Sequence, residues 1–208
     1  MIKKTTITFY LKPLFFLFLL NGCGNTKPIT KFSPVNIEPR SSWNAIEAKP
    51  YKTHIPTRIT VHHEGTTLNI KADAAKKIYA IQKWGMGVEK NWADIPYHFL
   101  IAPNGKVYEG RNVFTVGETS TEYAPTEHLL ICCLGNLNED PVPAVQLRAL
   151  IQTIEYCATK YNIPLDSLAT HRDFSTKTSC PGKNLFTYFE NGFIKKELLK
   201  MRKKNTKL

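Results

Sequence analysis

The sequence predicts an α/β fold in which a single central mixed β-sheet is flanked by helices. Two observations carry this. Short β-branched or continuously apolar runs recur at 58–62, 97–102, 129–134 and 168–170 and read as strands. Apolar residues also fall at helical spacing, at Ile70, Ala74, Ile78, Ile81 and Trp84, and again at Leu147, Leu150, Ile151, Ile154, Cys157, Ala158 and Tyr161. Strands interleaved with helices bury both faces of one sheet. A length of 208 residues and a hydrophobic share of 42% suit one domain with extensions.

The elements follow in order. Lys3 and Lys4 precede Leu14-Phe-Phe-Leu-Phe-Leu-Leu20, an apolar run too short to span a membrane. Leu20-Asn-Gly-Cys23 then resembles the processing box of bacterial lipoproteins, in which the Cys is acylated. The expectation is a lipoprotein-type signal over 1–22 and lipid on Cys23. The protein would be exported to the bacterial cell envelope and anchored to a membrane, on its periplasmic side or outer surface. An ordinary secretory signal with an incidental Cys gives the same export. Residues 23–38, with Asn, Thr, Lys and Pro in thin hydrophobic company, read as a linker.

The folded domain is expected over 39–194, opening at Pro39-Arg-Ser-Ser-Trp43. Arg58 to His62 is a buried strand, and 70–84 an amphipathic helix ending at Gly85. Tyr97 to Ala102 is a strand, Asn104-Gly105 a hairpin turn, and Lys106 to Glu109 the return. Leu129 to Leu134 is apolar throughout, which suits a central strand covered on both faces. Pro143 stands near the start of the next helix, where a missing N–H costs least. Leu168 to Thr170 leads into His171, and a last helix over 186–205 breaks near Asn191-Gly192. Residues 195–208 form a basic C-terminal tail.

The formal charge of +11 sits at the two ends of the chain. Lys3, Lys4 and Lys12 fall in the leader. Lys195, Lys196, Lys200, Arg202, Lys203, Lys204 and Lys207 crowd the tail against a single acid, Glu197. The domain between is close to neutral and carries no basic stripe interleaved with aromatics, so no nucleic-acid partner is expected. Cys132 and Cys133 are neighbours on a strand and point to opposite faces. Together with Cys157 they are expected to be buried as small apolar residues, although an exported protein permits a disulfide among them.

The chemistry gathers around two stretches far apart in the chain, Ile59-Thr-Val-His62-His63 and His171-Arg-Asp-Phe-Ser-Thr-Lys-Thr-Ser-Cys180-Pro-Gly182. Two imidazoles and a thiolate close three corners of a tetrahedron, and a fourth corner left to water makes a hydrolytic zinc site. His63 competes with His62 as ligand, because adjacent strand residues face opposite ways. A structural zinc would need a fourth protein ligand, and a Cys–His thiol hydrolase would need an unmetallated Cys180.

Taken together, these motifs resemble the family of peptidoglycan recognition proteins and type-2 N-acetylmuramoyl-L-alanine amidases, which includes phage amidase lysozymes. The matching pieces are Pro39 to Ala45, Ile59 to His63, Ile95-Pro-Tyr97-His-Phe-Leu-Ile101, Asn104 to Arg111, Cys133-Leu-Gly-Asn136, His171-Arg-Asp173 and Cys180-Pro-Gly182. The resemblance implies that fold, Zn2+ held by His62, His171 and Cys180, and hydrolysis of the amide between N-acetylmuramic acid and L-alanine of the stem peptide. It assigns Tyr97 to the catalytic tyrosine and Thr178, or Lys177 through a loop one residue longer, to the oxyanion. The partners implied are a peptidoglycan or muropeptide substrate and, through Cys23, a membrane, with the protein itself a monomer. A non-catalytic muropeptide-binding module of the same fold is the alternative. Two departures bear on the site. Glu118 follows Gly117 where the family usually has a substrate-contacting His, and Glu64 places a carboxylate after the His pair, as a base or as a supporting or surface group.

Overall fold

A computed structural model of the protein describes residues 35–206. The leader, Cys23 and most of the expected linker lie outside them. The strands are β1 (Ile37–Glu38), β2 (Arg58–His63), β3 (Phe99–Ile101), β4 (Val107–Glu109), β5 (His128–Cys133) and β6 (Leu168–Thr170). The helices are α1 (Ala74–Gly85), α2 (Ala144–Lys160), α3 (Lys183–Glu190) and α4 (Phe193–Thr206). The strands form one sheet in the order β1-β4-β3-β5-β2-β6. Only β3 and β4, joined through Asn104-Gly105, pair antiparallel. β2 runs parallel to both β5 and β6, so three strand ends point the same way side by side.

The pleat sorts residues between two cores. Ile59, Val61, Phe99, Ile101, Leu129, Ile131 and Cys133 pack against Leu150, Ile154 and Cys157 of α2 and against Leu185, Ile194 and Leu198. Leu100, Tyr108 and Leu134 pack on the other face with Trp43 and with Ala74, Ile78 and Ile81 of α1. Every residue of β5 is buried, as a strand covered on both faces requires. The four described cysteines are free and buried.

Several boundaries differ from expectation, each for a local reason. α1 begins at Ala74, not Ile70, because the Asp73 carboxylate accepts the Lys76 N–H at 3.1 Å and caps the helix there. Ile70 is left 47% exposed. The strand expected from Tyr97 is regular only over Phe99–Ile101. The last helix breaks at Asn191-Gly192 as expected, with Gly192 at φ +71°, but its first part, α3, begins at Lys183 and not at Phe186. The basic residues expected as a tail from 195 belong to α4, whose Leu198 is buried. Ile37 and Glu38, read as linker, pair with Val107 and Tyr108 as an edge strand too short to show a period. The Arg40–Trp43 turn clasps this edge. Arg40 pairs with the buried Asp94 at 3.0 Å, and the Trp43 indole donates to the Glu109 carbonyl at 2.8 Å.

Candidate metal centre

β2 decides between the two neighbouring histidines. His63 faces the α2 side, where its Nδ1 accepts the Leu137 N–H at 3.1 Å. His62 points to the opposite face, into a cleft of about 300 Å3 that also reaches Tyr97, Thr178, His171 and Cys180. His171 follows β6 directly and opens a turn whose capping box joins Thr170 and Asp173, with the Asp173 carboxylate accepting the Thr170 N–H at 2.7 Å. Cys180 is brought back to the same point by a closed loop. The Arg172 N–H donates to the Cys180 carbonyl at 3.1 Å, and the Arg172 guanidinium to the Ser179 carbonyl at 2.6 Å. Gly182, at φ +89°, lets the chain pass against Leu137, where a Cβ would come within 2.4 Å of a carbonyl carbon.

One potential ligand atom from each of His62, His171 and Cys180 lies within 4.8 Å of the others, and all three residues are buried. Among the described residues no other group of His, Cys, Asp or Glu is so arranged. The Cys180 sulfur stands 3.6 Å from His62 Nδ1. A tetrahedral zinc with Zn–S about 2.3 Å and Zn–N about 2.05 Å separates its sulfur and nitrogen ligands by about 3.6 Å. The protonation states also fit. Burial, with His171 beside it, holds the His62 pKa well below the ordinary value, and burial takes His171 down to about 4. Both rings are therefore neutral donors at pH 7. Burial pushes the Cys180 thiol up to about 12. A thiol so raised is a poor nucleophile without a cation to stabilise its thiolate, which disfavours a thiol hydrolase.

The surroundings redistribute the other expected residues. Tyr97 lies beside His62, ring centroids 5.4 Å apart, with its phenol in hydrogen-bonding reach of Cys132. Burial raises its pKa well above the usual value, so the hydroxyl stays protonated. Thr178 lines the cleft, and its oxygen accepts the Cys180 N–H at 3.1 Å, leaving its own O–H free to donate. Lys177 is exposed, outside the cleft lining. Glu64 pairs with Lys77 at 2.9 Å and accepts from Thr66, so it is a tied wall carboxylate and not a free base. Glu118 pairs with the buried Arg111 at 3.0 Å and accepts the Ala93 N–H.

Two residues at the centre escaped the sequence reading. Thr121 Oγ1 is 2.7 Å from His171 Nε2, and Tyr123 Oη is 3.3 Å from His62 Nε2. Their segment has no regular secondary structure and no apolar period. Its one signal was a cluster of hydroxyls, Thr119, Ser120, Thr121 and Tyr123.

Comparison with known proteins places this geometry. A family model described as N-acetylmuramoyl-L-alanine amidase (Amidase_2) matches residues 52–183. Peptidoglycan recognition protein 1 of Bos taurus is 31% identical over 73% of this chain and 80% of its own length. Peptidoglycan recognition protein 3 of Mus musculus is 30% identical over 76% of this chain, but the match spans only 46% of that longer protein. Among solved structures, Drosophila peptidoglycan recognition protein SD superposes with a TM-score of 0.68 at 26% identity, over 76% of this chain and 94% of its own. An N-acetylmuramoyl-L-alanine amidase of Clostridium intestinale gives 0.58 at 28%, over 72% and 90%. Peptidoglycan recognition protein LE, solved with tracheal cytotoxin (a monomeric diaminopimelic acid-type peptidoglycan), gives 0.66 at 27%, over 74% and 92%.

Proposed function

Because the chain belongs to the N-acetylmuramoyl-L-alanine amidase family, whose relatives include the peptidoglycan recognition proteins, we propose that it is a catalytic, zinc-dependent member. Its reaction is hydrolysis of the amide between the lactyl group of N-acetylmuramic acid and L-alanine of the stem peptide. The observation that carries the reading is the convergence of three neutral or ionisable donors, His62, His171 and Cys180, at the floor of an open cleft. They are the complete three-ligand set of a catalytic site, with no fourth protein ligand among the described residues to close it.

Zinc held by these residues supplies Lewis-acid polarisation of a carbonyl and lowers the pKa of water to about 7. The protein's own groups supply the rest. The cleft wall holds the muramyl amide over the three donors and limits the orientations of its carbonyl. The protonated Tyr97 phenol and the free Thr178 O–H donate to the oxygen that gains charge as the amide carbon becomes tetrahedral. Both donors are fixed in advance, Thr178 by the Cys180 N–H and Tyr97 by its packing on His62. A substrate that is a wall polymer or its fragments agrees with export through the N-terminal leader and anchorage at Cys23, which we include in the proposal.

The test is a digestion. The purified protein is incubated with peptidoglycan, with zinc or with EDTA, and the soluble products are identified by mass spectrometry. Free stem peptides beginning with L-alanine, absent with EDTA and absent with Cys180→Ala, are the expected outcome. Retention of the protein on peptidoglycan with no cleavage in zinc would identify a binding module instead.

A further inference from the structure

The segment 119–123, whose Thr119, Ser120 and Thr121 line the cleft wall, touches both ligand histidines, and it does so with hydroxyls. Thr121 Oγ1 lies 2.7 Å from Nε2 of His171. Tyr123 Oη lies 3.3 Å from Nε2 of His62, whose other nitrogen, Nδ1, faces the Cys180 sulfur. Each imidazole thus has Nε2 engaged by this segment, which leaves Nδ1 as the nitrogen available to the centre, as it is seen to be for His62. A hydroxyl oxygen that accepts from Nε2–H fixes the ring's rotation and keeps its hydrogen away from Nδ1.

Both hydroxyls are themselves held. Thr121 is hydrogen-bonded to Thr119 Oγ1 at 2.9 Å, and its N–H donates to the same oxygen at 3.2 Å. The Tyr123 ring stacks on Phe174, centroids 5.8 Å apart and planes at 24°, and also packs on His128 at 5.3 Å. His128 in turn is fixed by Thr60 at 2.8 Å. Thr121 and Tyr123 lie two residues apart in a bend over 120–123, and the contacts above show that it turns both side chains to the centre. One short irregular segment can therefore serve two ligands that come from different strands.

We infer that Thr121 and Tyr123 are positioning residues for the metal centre, which hold His171 and His62 with Nδ1 presented to the ion. The inference rests on the zinc amidase reading of the cleft, and it adds the segment that sets metal affinity. The oxygen partners of ligand imidazoles generally contribute 10–100-fold in metal affinity, so removing either hydroxyl should lower zinc affinity by about that factor.

The experiment titrates the full chain and the variants Tyr123→Phe, Thr121→Ala and Thr121→Ser with zinc against a chromophoric chelator. The expected result is an affinity about 10–100-fold lower for Tyr123→Phe and Thr121→Ala. Thr121→Ser should restore the parental value, because it returns the oxygen. Tyr123→Phe keeps the stacked ring, so the metal-free melting temperature should not move. Cobalt-loaded samples should show altered ligand-field absorption in Tyr123→Phe and Thr121→Ala only. If Thr121→Ala fails to fold, Tyr123→Phe decides alone. Parental zinc affinity in Tyr123→Phe and in a folded Thr121→Ala overturns the inference, and so does a parent that binds no zinc. A parent that binds zinc, with variants weakened as expected but no amide cleaved, sinks the catalytic reading and leaves this inference standing. Cleavage by a parent whose variants bind zinc equally well does the reverse.

Discussion

Replacing Glu118 by alanine should destabilise the fold before it alters any chemistry. Glu118 stands on the cleft wall, where its position in the sequence suggested an effect on substrate choice. Its carboxylate is committed elsewhere. One oxygen lies 3.0 Å from the Arg111 guanidinium and the other accepts the Ala93 N–H at 2.8 Å. The Arg111 side chain is 0% exposed and that of Glu118 23%. Without the carboxylate, a buried guanidinium keeps the Val116 carbonyl, the face of Tyr51, 5.4 Å away, and the charge of Asp94. Truncating one member of a buried pair costs roughly 3–5 kcal/mol when nothing compensates. Glu118 still meets water and Arg111 retains these partners, so the expected loss is about 2–3 kcal/mol. At roughly 2–4 °C per kcal/mol for a domain of this size, the melting temperature falls by roughly 5–10 °C. Urea unfolding of Glu118→Ala, Arg111→Met and the double variant measures the pair directly, and the coupling should exceed about 1 kcal/mol. A Glu118→Ala protein within about 0.5 kcal/mol of the parent would refute the reasoning. Lost turnover at unchanged stability would return Glu118 to the substrate.

Other consequences are equally direct. Tyr97→Phe should retain zinc yet turn over about 10²-fold more slowly, as the loss of one oxyanion donor does; an unchanged rate removes Tyr97 from the mechanism. Gly182→Ala places a Cβ 2.4 Å from the Leu137 carbonyl carbon at a φ that L-residues avoid, and should cost about 2–4 kcal/mol in urea unfolding. An unaltered midpoint would show that the Cys180 loop can move aside. His98 is buried with its two ring nitrogens bonded to the Leu130 N–H and the Thr115 carbonyl, and burial lowers its pKa to about 3. The unfolded chain therefore takes up a proton near pH 6.5 that the folded protein refuses until about pH 3, so stability is full above 6.5 and falls on acidification, by up to about 1.4 kcal/mol per pH unit. Denaturant midpoints that stay flat from pH 7 to 4 would contradict this.

The fold was legible where the hydrophobic pattern was long. β2 and β5 are six-residue runs packed on both sides, and α2 carries an apolar stripe through all its turns, so each announced itself. Short elements carried too few residues to show a period. β1 is a two-residue edge strand, and nothing in Ile37-Glu38 distinguishes it from the polar stretch before it. The start of α1 shows a different competition. Ile70 continues the helical spacing, but the Asp73 carboxylate offers the backbone a cap three residues later, and the local hydrogen bond prevails over the periodicity.

The candidate site divides along the same line. His62, His171 and Cys180 stood out because ligand chemistry restricts residue type; the strand β2 fixes the direction of His62, while His171 follows β6 and Cys180 lies in a loop. The residues by themselves left His62 and His63 open, and the resemblance chose His62. The pairing of β2 with β5 and β6 shows which face each histidine takes, since a shift of one residue would have exchanged the two. Thr121, Tyr123 and the Glu118–Arg111 pair lay beyond sequence reasoning for a further reason. Their roles depend on contacts between segments that have no regular structure, and a hydroxyl or carboxylate in such a segment is most often a solvated surface group. What marks them is the burial of their partners. Without Glu118 the charge of Arg111 would stay buried and largely uncompensated. An imidazole presenting Nδ1 to an ion is oriented by whatever accepts from Nε2, a carbonyl, a water or, as proposed for this centre, a side-chain hydroxyl. The centre should therefore fail in two distinguishable ways. Loss of a donor abolishes metal binding, and loss of a supporting hydroxyl weakens it while the three donors remain in place.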